Sequence, residues 1–301
     1  MARPTPVLDD AIESIEQWRG RALEITPLPG GLTNANYRVD VDGSAHVVRV
    51  PGRSTELLSI DRANERHNTV AAATTGVGAR VLHYVDHLEV MVLEFIAGPT
   101  MISAALCSQE MAHPVAESLR RLHTAPRFLL DFNMFRLVEF YRSIVRERTV
   151  PIPEGYDRCL PVVPIIEEAL RRSPVASVPC HNDLLAENYI DDGELLRVVD
   201  YEYSGNNDPC FELGNTALEC GFDQELRATL CEAYFGPGSD EMLARMNLWA
   251  VMSDVGWTLW GAIQAAISDI DFDFWTYASD RWRRAEAALE GDDLGRWLDQ
   301  V

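Results

Sequence analysis

The first part of the chain alternates apolar and polar positions in the way that predicts β-strands. NYRVDV and HVVRV each alternate with a period of two, and the Asp42-Gly43 pair between them is typical of a hairpin turn. GARVLHYVDHLEVMVLEFIAG contains two more such strands, joined by a turn within VDHLE. Residues 8–19 and 59–74 instead repeat apolar and small positions at helical spacing. The N-terminal part is therefore predicted to be strand-rich, with the 59–74 helix between its strands.

The pattern changes at Gly98-Pro99, a pair that breaks regular structure. Beyond it the spacing is mainly helical, apart from a strand and loop region at residues 178–203. A chain of 301 residues is also too long for one typical core. We predict an α+β fold of two lobes, with a small strand-rich lobe over residues 1–95 and a larger, mainly helical lobe over residues 96–301. Ligand pockets tend to form at such a boundary.

Residues 248–267 are apolar enough to raise the question of a membrane span. The stretch contains Asp254 and Gln264, and the acidic run SDIDFD follows it directly. Charged residues are rare inside membrane-spanning helices. We therefore predict a buried amphipathic helix and no membrane span.

The formal net charge of −21 is the most unusual feature of the composition. A field of this sign repels nucleic acid, and no basic stripe could neutralise phosphates, so we expect no nucleic-acid partner. The field attracts small cations and opposes ATP, so a nucleotide site would need metal ions and local hydrogen-bond donors. The six cysteines form no CxxC pair, and the N-terminus lacks the apolar segment of a signal peptide. We therefore expect a cytoplasmic protein with reduced thiols.

The segment HNDLLAENYIDDGELLRVVD carries the residue types that phosphoryl transfer needs. Asp183 and Asn188 are five residues apart, and Asp200 ends the apolar strand that follows. Phosphoryl transfer needs a carboxylate that orients the attacking hydroxyl group and accepts its proton, together with hard oxygen ligands for magnesium. Asp183 can meet the first need, and Asn188 and Asp200 can meet the second. His181 is predicted to hold the loop by hydrogen bonds rather than to act as a base.

A candidate phosphate cradle lies earlier in the chain. Gly30 and Gly31 form a turn between two predicted strands, and glycine lets the main chain approach phosphates closely. Three residues with hydroxyl or amide groups follow, namely Thr33, Asn34 and Asn36. They can complete such a cradle as hydrogen-bond donors.

Arg49 is a charge within the otherwise apolar strand HVVRV. A charge in such a strand needs a partner or a ligand, and Glu65 on the following helix is well placed to be that partner. Kinases hold phosphates with a strand cation and a helix glutamate, with lysine where this chain has arginine. We therefore predict an Arg49–Glu65 ion pair in a nucleotide site.

Together these segments resemble the choline/ethanolamine kinase family, within the aminoglycoside-phosphotransferase-like, protein-kinase-like fold. The likeness runs from GGLTNANYRV through HNDLLAENYI and VVDYEYSGNNDPCFELGN to WTLWGAIQAAISDIDFDFWTYASDRW. It implies an ATP-dependent kinase that uses magnesium and phosphorylates an amino alcohol, with choline as the leading candidate. It implies that Asp183 is the catalytic base and that Asn188 and Asp200 hold magnesium. The residues assigned to nucleotide binding are Gly30, Gly31, Thr33, Asn34, Asn36, Arg49, Glu65 and the adenine-binding hinge of Glu94, Phe95 and Ile96.

The resemblance also implies an amine-binding pocket in the C-terminal part. Trp257 and Trp260 are three residues apart on a predicted helix, so both indoles project from one face. A quaternary ammonium group has no N–H to donate, so aromatic faces and carboxylates bind it, at about 2 kcal/mol for each desolvated cation–π contact. Leu185 and Phe274 make the pocket less polar than in some relatives, which favours choline over a primary amine. The residues assigned to the acceptor are Glu202, Tyr203, Glu219, Trp257, Trp260, Phe272 and Tyr277.

Two other interpretations stay open. A kinase of the same fold that acts on ethanolamine, an aminoglycoside or a sugar would share Asp183, Asn188 and Asp200, so only the acceptor pocket distinguishes it. A non-catalytic amine-binding pseudokinase would bind ATP and choline without producing ADP. The choice between ATP and GTP and the formation of a homodimer are also left open.

Overall fold

A computed structural model describes residues 6–52 and 55–301, and its N-terminal part forms one antiparallel sheet. The strands are β1 (Leu23–Pro27), β2 (Asn34–Val41), β3 (Ser44–Pro51), β4 (Val81–Val85) and β5 (Val90–Glu94). They lie in the order β1-β2-β3-β5-β4. Between β2 and β3, Asp42 and Gly43 both have positive φ, of 50° and 81°, as a type I′ hairpin turn requires. The strands predicted for this region are therefore confirmed.

A short helix, α1 (Pro6–Ser14), covers one face of the sheet. Its buried residues Leu8 and Ala11 pack with valines of β2, β3 and β5 in one apolar cluster. The helical segment predicted at residues 8–19 ends early, and a 3₁₀ turn (Glu16–Trp18) takes the place of its second half.

The helix predicted between the strands is α2 (Arg62–Ala73). It begins later than the predicted segment 59–74, because Asp61 caps it by accepting a hydrogen bond from the main-chain N–H of Asn64 at 2.9 Å. The side-chain amide of Asn64 donates to the main-chain carbonyl of Ser204 at 2.8 Å. Through this contact α2 joins the sheet lobe to the rest of the molecule.

The remainder of the chain is mainly helical, with two short two-stranded sheets. Strand β6 (Val178–Cys180) pairs with β9 (Gly205–Asn207), and β7 (Tyr189–Asp191) pairs with β8 (Leu196–Val198), both antiparallel. The helices are α3 (Ser103–Leu106), α4 (Gln109–Leu122), α5 (Met134–Arg148), α6 (Tyr156–Cys159), α7 (Val163–Arg172), α8 (Pro209–Glu219), α9 (Gln224–Phe235), α10 (Asp240–Ile267), α11 (Phe274–Glu290) and α12 (Asp293–Gln300). The predicted α+β fold with a sheet lobe and a helical lobe is confirmed.

Helix α10 is the centre of the helical lobe. Every residue from Ala244 to Gln264 is buried, because α5, α8, α11 and α12 surround this part of the helix. The predicted buried helix is therefore confirmed, but its predicted amphipathic character was wrong, since no face of this part is left for water. Among the described residues, no helix is long and apolar enough to cross a membrane.

The linker between β5 and α3 is fixed to the helical lobe. Gly98 has φ of 151°, and a Cβ atom there would lie 1.9 Å from the main-chain oxygen of Asp191, so a side chain cannot fit. The N–H of Asp191 also donates to the carbonyl of Pro99 at 3.1 Å. The last strand of the sheet ends at Glu94, next to the boundary predicted between residues 95 and 96. That division into two domains stays a prediction.

Candidate active site

A loop between β6 and β7 presents the residues predicted for catalysis, and α8 holds this loop. Both carboxylate oxygens of Glu212 accept main-chain N–H groups, from His181 and Asn182, at 2.7 Å each. Asn215, about one turn further along α8, accepts the N–H of Leu184 at 2.6 Å. Because Glu212 and Asn215 are fully buried, these hydrogen bonds are shielded from water. The position of the loop is thus set by α8.

The side chain of His181 fixes the loop from within. Its Nε2–H donates to the main-chain oxygen of Val199 at 2.8 Å, and its Nδ1 accepts the N–H of Asp183 at 3.3 Å. Burial lowers the pKa of His181, so the ring is neutral and pins the loop as predicted. The amide nitrogen of Asn188 donates to the main-chain oxygen of Asp183 at 2.8 Å. Asp183 and Asn188 therefore lie together, next to the strand that leads to Asp200.

The half-buried carboxylate of Asp183 is left free by the loop that carries it. Its main-chain groups are hydrogen-bonded, but within residues 6–52 and 55–301 no group donates to the carboxylate. Burial in the cleft raises the pKa of Asp183 well above its usual range, and the charges of Glu219, Asp200 and Glu202 raise it further, against the opposing effect of Arg281. A carboxylate with a raised pKa is a better proton acceptor, which suits a general base.

Asp200 lies in an ion pair with Arg49, which comes from the sheet lobe. The NH1 group of Arg49 donates to Asp200 at 2.9 Å, NH2 donates to the other carboxylate oxygen, and Nε donates to Glu65 at 2.7 Å. Asn36 lies opposite Arg49 in the register of β2 and β3. Burial by itself raises the pKa of Asp200, but the Arg49 guanidinium outweighs it and holds the pKa below its usual value. The predicted Arg49–Glu65 pair is present, and it extends across the cleft to Asp200.

Glu202, which was predicted to bind the acceptor, lies against the glycine turn of the sheet lobe. Its carboxylate accepts hydrogen bonds from the hydroxyl group of Thr33 and from the amide of Asn34, the latter at 2.7 Å. The NH1 group of Arg62 is 3.4 Å from the same carboxylate. Burial and the neighbouring charge of Asp200 raise the pKa of Glu202 to about 7. These contacts put Glu202 beside Thr33 and Asn34, which were predicted to bind the nucleotide, and its part in acceptor binding stays a prediction.

The glycine turn between β1 and β2 has a main chain that only glycine permits. Gly30 and Gly31 have φ of 88° and 87°, and a Cβ atom on Gly31 would lie 2.6 Å from the carbonyl oxygen of Asn34. The amide of Gln264 on α10 donates to the main-chain oxygen of Leu32 at 3.2 Å. This hydrogen bond connects the turn to the helical lobe at the place where the two lobes meet.

The three predicted adenine-binding residues lie in sequence at the end of β5. Glu94 accepts hydrogen bonds from the main chain and the Nε of Arg80, at 3.2 Å each. The guanidinium carbon of Arg38 lies 4.6 Å from the ring centre of Phe95. Ile96 is buried in a small apolar cluster with residues of β5. Their role in adenine binding stays a prediction.

Five of the residues predicted for the acceptor form one aromatic cluster. The ring centres of Tyr203 and Trp257 are 4.9 Å apart, and those of Trp257 and Trp260 are 6.5 Å apart. Tyr277 lies 5.4 Å from Trp260 and 6.0 Å from Phe272. The indole N–H of Trp257 is buried and has no acceptor in the part of the chain that the structure describes. A buried donor without a partner is unfavourable unless water or a ligand reaches it.

Glu219 joins this cluster through an arginine. The NH2 group of Arg281 donates to Glu219 at 2.5 Å, and the guanidinium carbon of Arg281 lies 3.3 Å from the ring centre of Tyr277. The side chains of Arg281 and Glu219 are only 6% and 7% exposed. The carboxylate predicted to attract the acceptor's ammonium group is therefore already paired with a cation of the protein itself.

Asn188 and Asp200 offer the kind of oxygen atoms that magnesium prefers. Asn188 uses its amide nitrogen for the bond to Asp183, which leaves its amide oxygen for a ligand. To bind the ion, Asp200 would have to lose its contact with Arg49. The donor set therefore fits magnesium, with Arg49 as the group that must move.

A second set of ligand-type atoms lies behind the loop. His123, Cys180 and Glu212 are buried, and their candidate ligand atoms lie within 4.8 Å of one another. Both oxygens of Glu212 already accept main-chain N–H groups of the loop. These hydrogen bonds from the loop to Glu212 account for the position of the cluster without a metal ion.

The residues that support the site were not predicted from the sequence. Glu212 and Asn215 were visible only as two of the polar positions in the mainly apolar segment PCFELGNTALEC, and Arg281 only as a cation four residues after Tyr277. Arg62 was also missed. Its NH1 group pairs with Glu65, while its Nε and NH2 groups are buried and lack acceptors among the described residues.

Comparison with known proteins agrees with this arrangement. The model of a family described as "Phosphotransferase enzyme family" matches residues 24–249. Ethanolamine kinase 2 of Mus musculus is 28% identical, over 89% of this chain and 76% of that protein. The solved structure of a choline/ethanolamine kinase family protein from Mesorhizobium loti is 32% identical, covers 98% of both chains and superposes with a TM-score of 0.85. Choline kinase LicA from Streptococcus pneumoniae is 25% identical, over 93% of this chain and 98% of that chain, with a TM-score of 0.80.

Proposed function

The chain belongs to the phosphotransferase enzyme family as a choline/ethanolamine kinase-like enzyme, and from this premise we propose that it transfers the γ-phosphoryl group of ATP to choline. The observation that carries the proposal is the free carboxylate of Asp183. The charges of Glu219, Asp200 and Arg281 all act on this carboxylate. A proton acceptor close to both the ion network of Asp200 and the Glu219–Arg281 pair suits a kinase whose acceptor is an alcohol with a cationic group.

The proposed reaction is a direct transfer. The hydroxyl oxygen of choline forms a bond to the γ-phosphorus, the bond from that phosphorus to the β–γ bridging oxygen breaks, and ADP leaves. Asp183 orients the hydroxyl group and accepts its proton, which the loop makes possible by leaving the carboxylate free. Asn188 and Asp200 would hold magnesium, which when bound neutralises charge on the phosphate oxygens.

On the nucleotide side, donors of the sheet lobe now contact carboxylates of the helical lobe. Arg49 donates to Asp200, and Thr33 and Asn34 donate to Glu202. Phosphate oxygens accept hydrogen bonds in the same way as carboxylate oxygens. We expect ATP to take over these donors as the carboxylates turn to the metal.

On the acceptor side, the aromatic cluster supports a quaternary ammonium group. The ring centres of Trp257 and Tyr277 lie 6.5 and 5.4 Å from that of Trp260, and aromatic faces attract a cation that cannot donate hydrogen bonds. An aminoglycoside or a sugar would need many polar partners there, and the cluster offers few. This contrast supports an amino alcohol over those acceptors.

A panel of acceptors tests the proposal. ADP release would be measured with magnesium and ATP, and with choline, ethanolamine, an aminoglycoside or a simple sugar as the acceptor. We expect turnover with choline and, at lower kcat/KM, with ethanolamine. The product would be identified as the phosphate ester by mass spectrometry, because ADP alone also reports hydrolysis of ATP.

Two results would overturn the proposal. Turnover of an aminoglycoside or sugar, with both amino alcohols inert, would mean that the acceptor class is wrong. Binding of ATP and choline by calorimetry, without any ADP formed, would identify a pseudokinase instead.

A further inference from the structure

Arg281 occupies a position in the aromatic cluster that a substrate cation would be expected to take. Its guanidinium carbon lies 3.3 Å from the ring centre of Tyr277, a distance typical of direct stacking. The residue is 5% exposed. One face of Tyr277 is therefore covered by the protein itself, and the ring centres of Trp260 and Phe272 lie 5.4 and 6.0 Å from that of Tyr277.

The packing of α10 against α11 creates this arrangement. A Cβ atom on Gly261 of α10 would lie 2.8 Å from the ring of Tyr277 and 3.0 Å from Ala278, so glycine is what allows the close approach. Tyr277 and Arg281 are four residues apart on α11 and lie on the same face of the helix. The guanidinium is thus held over the ring by the fold.

Arg281 also engages Glu219, one of the two carboxylates in the predicted acceptor set. One oxygen of Glu219 accepts from Arg281 at 2.5 Å, and the positive charge offsets the charge of Glu219. The other buried carboxylate in this region, Asp254, accepts two hydrogen bonds from Arg284, at 3.0 and 2.5 Å. Both carboxylates are therefore occupied by arginines, whereas Asp183 is the one left free.

This pairing affects two acceptors differently. The ammonium group of ethanolamine carries three N–H donors, and burying it without three acceptors is unfavourable. The trimethylammonium group of choline has no N–H, so it loses no hydrogen bond when the carboxylates are already engaged. Aromatic faces and apolar contacts suffice for it.

We propose that Arg281 is a specificity-determining residue, which favours quaternary over primary amino alcohols by occupying Glu219 and one face of Tyr277. The inference rests on the proposed function, because it concerns the choice between two acceptors of the same site. Arg281 acts here through Glu219, so its effect should fall on the ratio of acceptors and not on the use of ATP.

The variant Arg281→Met tests this inference in the full-length protein. The ratio of kcat/KM for ethanolamine to kcat/KM for choline should rise about 10-fold, the effect of one additional charge-assisted hydrogen bond. The KM for ATP should stay within about twofold of the wild-type value. Mono- and dimethylethanolamine should fall in order between the two acceptors, because each methyl group removes one N–H.

Arg284→Met is the matched control. It removes an arginine from the same helix and the same net charge, but its partner is Asp254 and its side chain is 42% exposed. We expect no change in the acceptor ratio. In a Glu219→Gln background, Arg281→Met should also leave the ratio unchanged, because the carboxylate that Arg281 occupies is gone. Thermal unfolding would check that each variant is folded, and Arg281→Gln would replace Arg281→Met if the latter were not.

The outcomes separate the two claims. If the wild-type protein phosphorylates neither choline nor ethanolamine, the proposed function fails and this inference fails with it. If the wild-type protein uses either acceptor and folded Arg281 variants keep its ratio, only this inference is overturned. An equal change of the ratio in Arg284→Met would also overturn it, because a general effect of charge would then be the cause.

Discussion

Each half of the cleft contains a buried arginine. The two arginines differ in their partners, since one contacts two carboxylates and the other contacts one carboxylate and one aromatic ring. Arg49, on the side proposed to bind the nucleotide, has donors from Nε, NH1 and NH2 all engaged by Glu65 and Asp200. Arg281, on the side proposed to bind the acceptor, has one carboxylate partner and one aromatic face, and its Nε finds no acceptor in the described residues. The first half is organised by charge, and the second by aromatic surface with a single ion pair.

This difference indicates what kind of ligand each half would favour. Within residues 6–52 and 55–301, Asp200, Glu202 and Glu65 form ion pairs with Arg49 and Arg62, so the carboxylates outnumber their arginine partners on the side proposed to bind the nucleotide. An additional cation is favourable in such a place, which is consistent with a metal-bound nucleotide. On the side proposed to bind the acceptor, Glu219 and Asp254 each pair with one arginine. Selectivity there would come from the contacts of the aromatic rings and of the free carboxylate of Asp183.

The largest expected effect comes from Asp183, which lies at the border of the two halves. On the proposed function, Asp183→Ala removes the proton acceptor and should lower kcat by on the order of 10² to 10⁴. The KM for ATP should change little, because the proposed contact of Asp183 is with the hydroxyl group of choline and not with the nucleotide. Steady-state kinetics with each substrate varied in turn would measure this.

Glu187→Ala is the control for that experiment. Glu187 is an exposed carboxylate of the same loop, so its removal changes the net charge equally without touching the site. Activity close to that of the wild-type protein in Asp183→Ala would remove Asp183 from its proposed role. A large loss in Glu187→Ala would mean that the loop is disturbed by any change of charge.

Replacing Arg49 should have a smaller effect, and this effect should be limited to the KM for ATP. Arg49→Lys keeps the positive charge but loses the planar fork that contacts Glu65 and Asp200 together. We expect KM for ATP to rise roughly 10- to 100-fold, which corresponds to the loss of one or two charge-assisted hydrogen bonds. The KM for choline should stay within about twofold, and Arg66→Lys, an exposed arginine of α2, should change neither. An equal rise in both KM values would contradict the division of the cleft into two halves.

The parts of the site that are close together in the sequence could be predicted from it. Asp183, Asn188 and Asp200 lie within one short segment, so their chemistry is visible in a single pattern. The pairing of Arg49 with Glu65 was also predictable, because a charge within an apolar strand requires a partner. These predictions needed only local spacing and the rule that buried charges are paired.

The remaining parts depend on how distant elements pack. Glu212 reaches the loop only because α8 lies against it, and Arg281 reaches Glu219 only because Gly261 lets α11 approach α10. The contact of Arg49 with Asp200 likewise joins two residues of different lobes that are 151 positions apart in the sequence. Contacts between distant segments leave no local pattern in the sequence. The supporting residues were therefore missed, although the residues with predicted chemical roles were identified.

The smallest expected effect concerns Trp257, and it tests the acceptor half directly. Trp257→Leu keeps an apolar side chain but removes an aromatic face and the unpaired indole N–H. Losing one cation–π contact should raise the KM for choline about 10-fold and leave the KM for ATP nearly unchanged. Steady-state kinetics on the folded variant would measure both values.

The control has to separate a lost contact from a disturbed core, because Trp257 is 1% exposed and its replacement also lowers stability. Trp249→Leu removes a second buried tryptophan from the same helix, where the ring packs against Phe135 and Phe211, away from the acceptor cluster. Both variants should unfold at lower temperature than the wild-type protein, but only Trp257→Leu should raise the KM for choline. If the two variants raise the KM values for choline and ATP alike, then Trp257 supports the core of the helical lobe, and the aromatic cluster does not bind the acceptor.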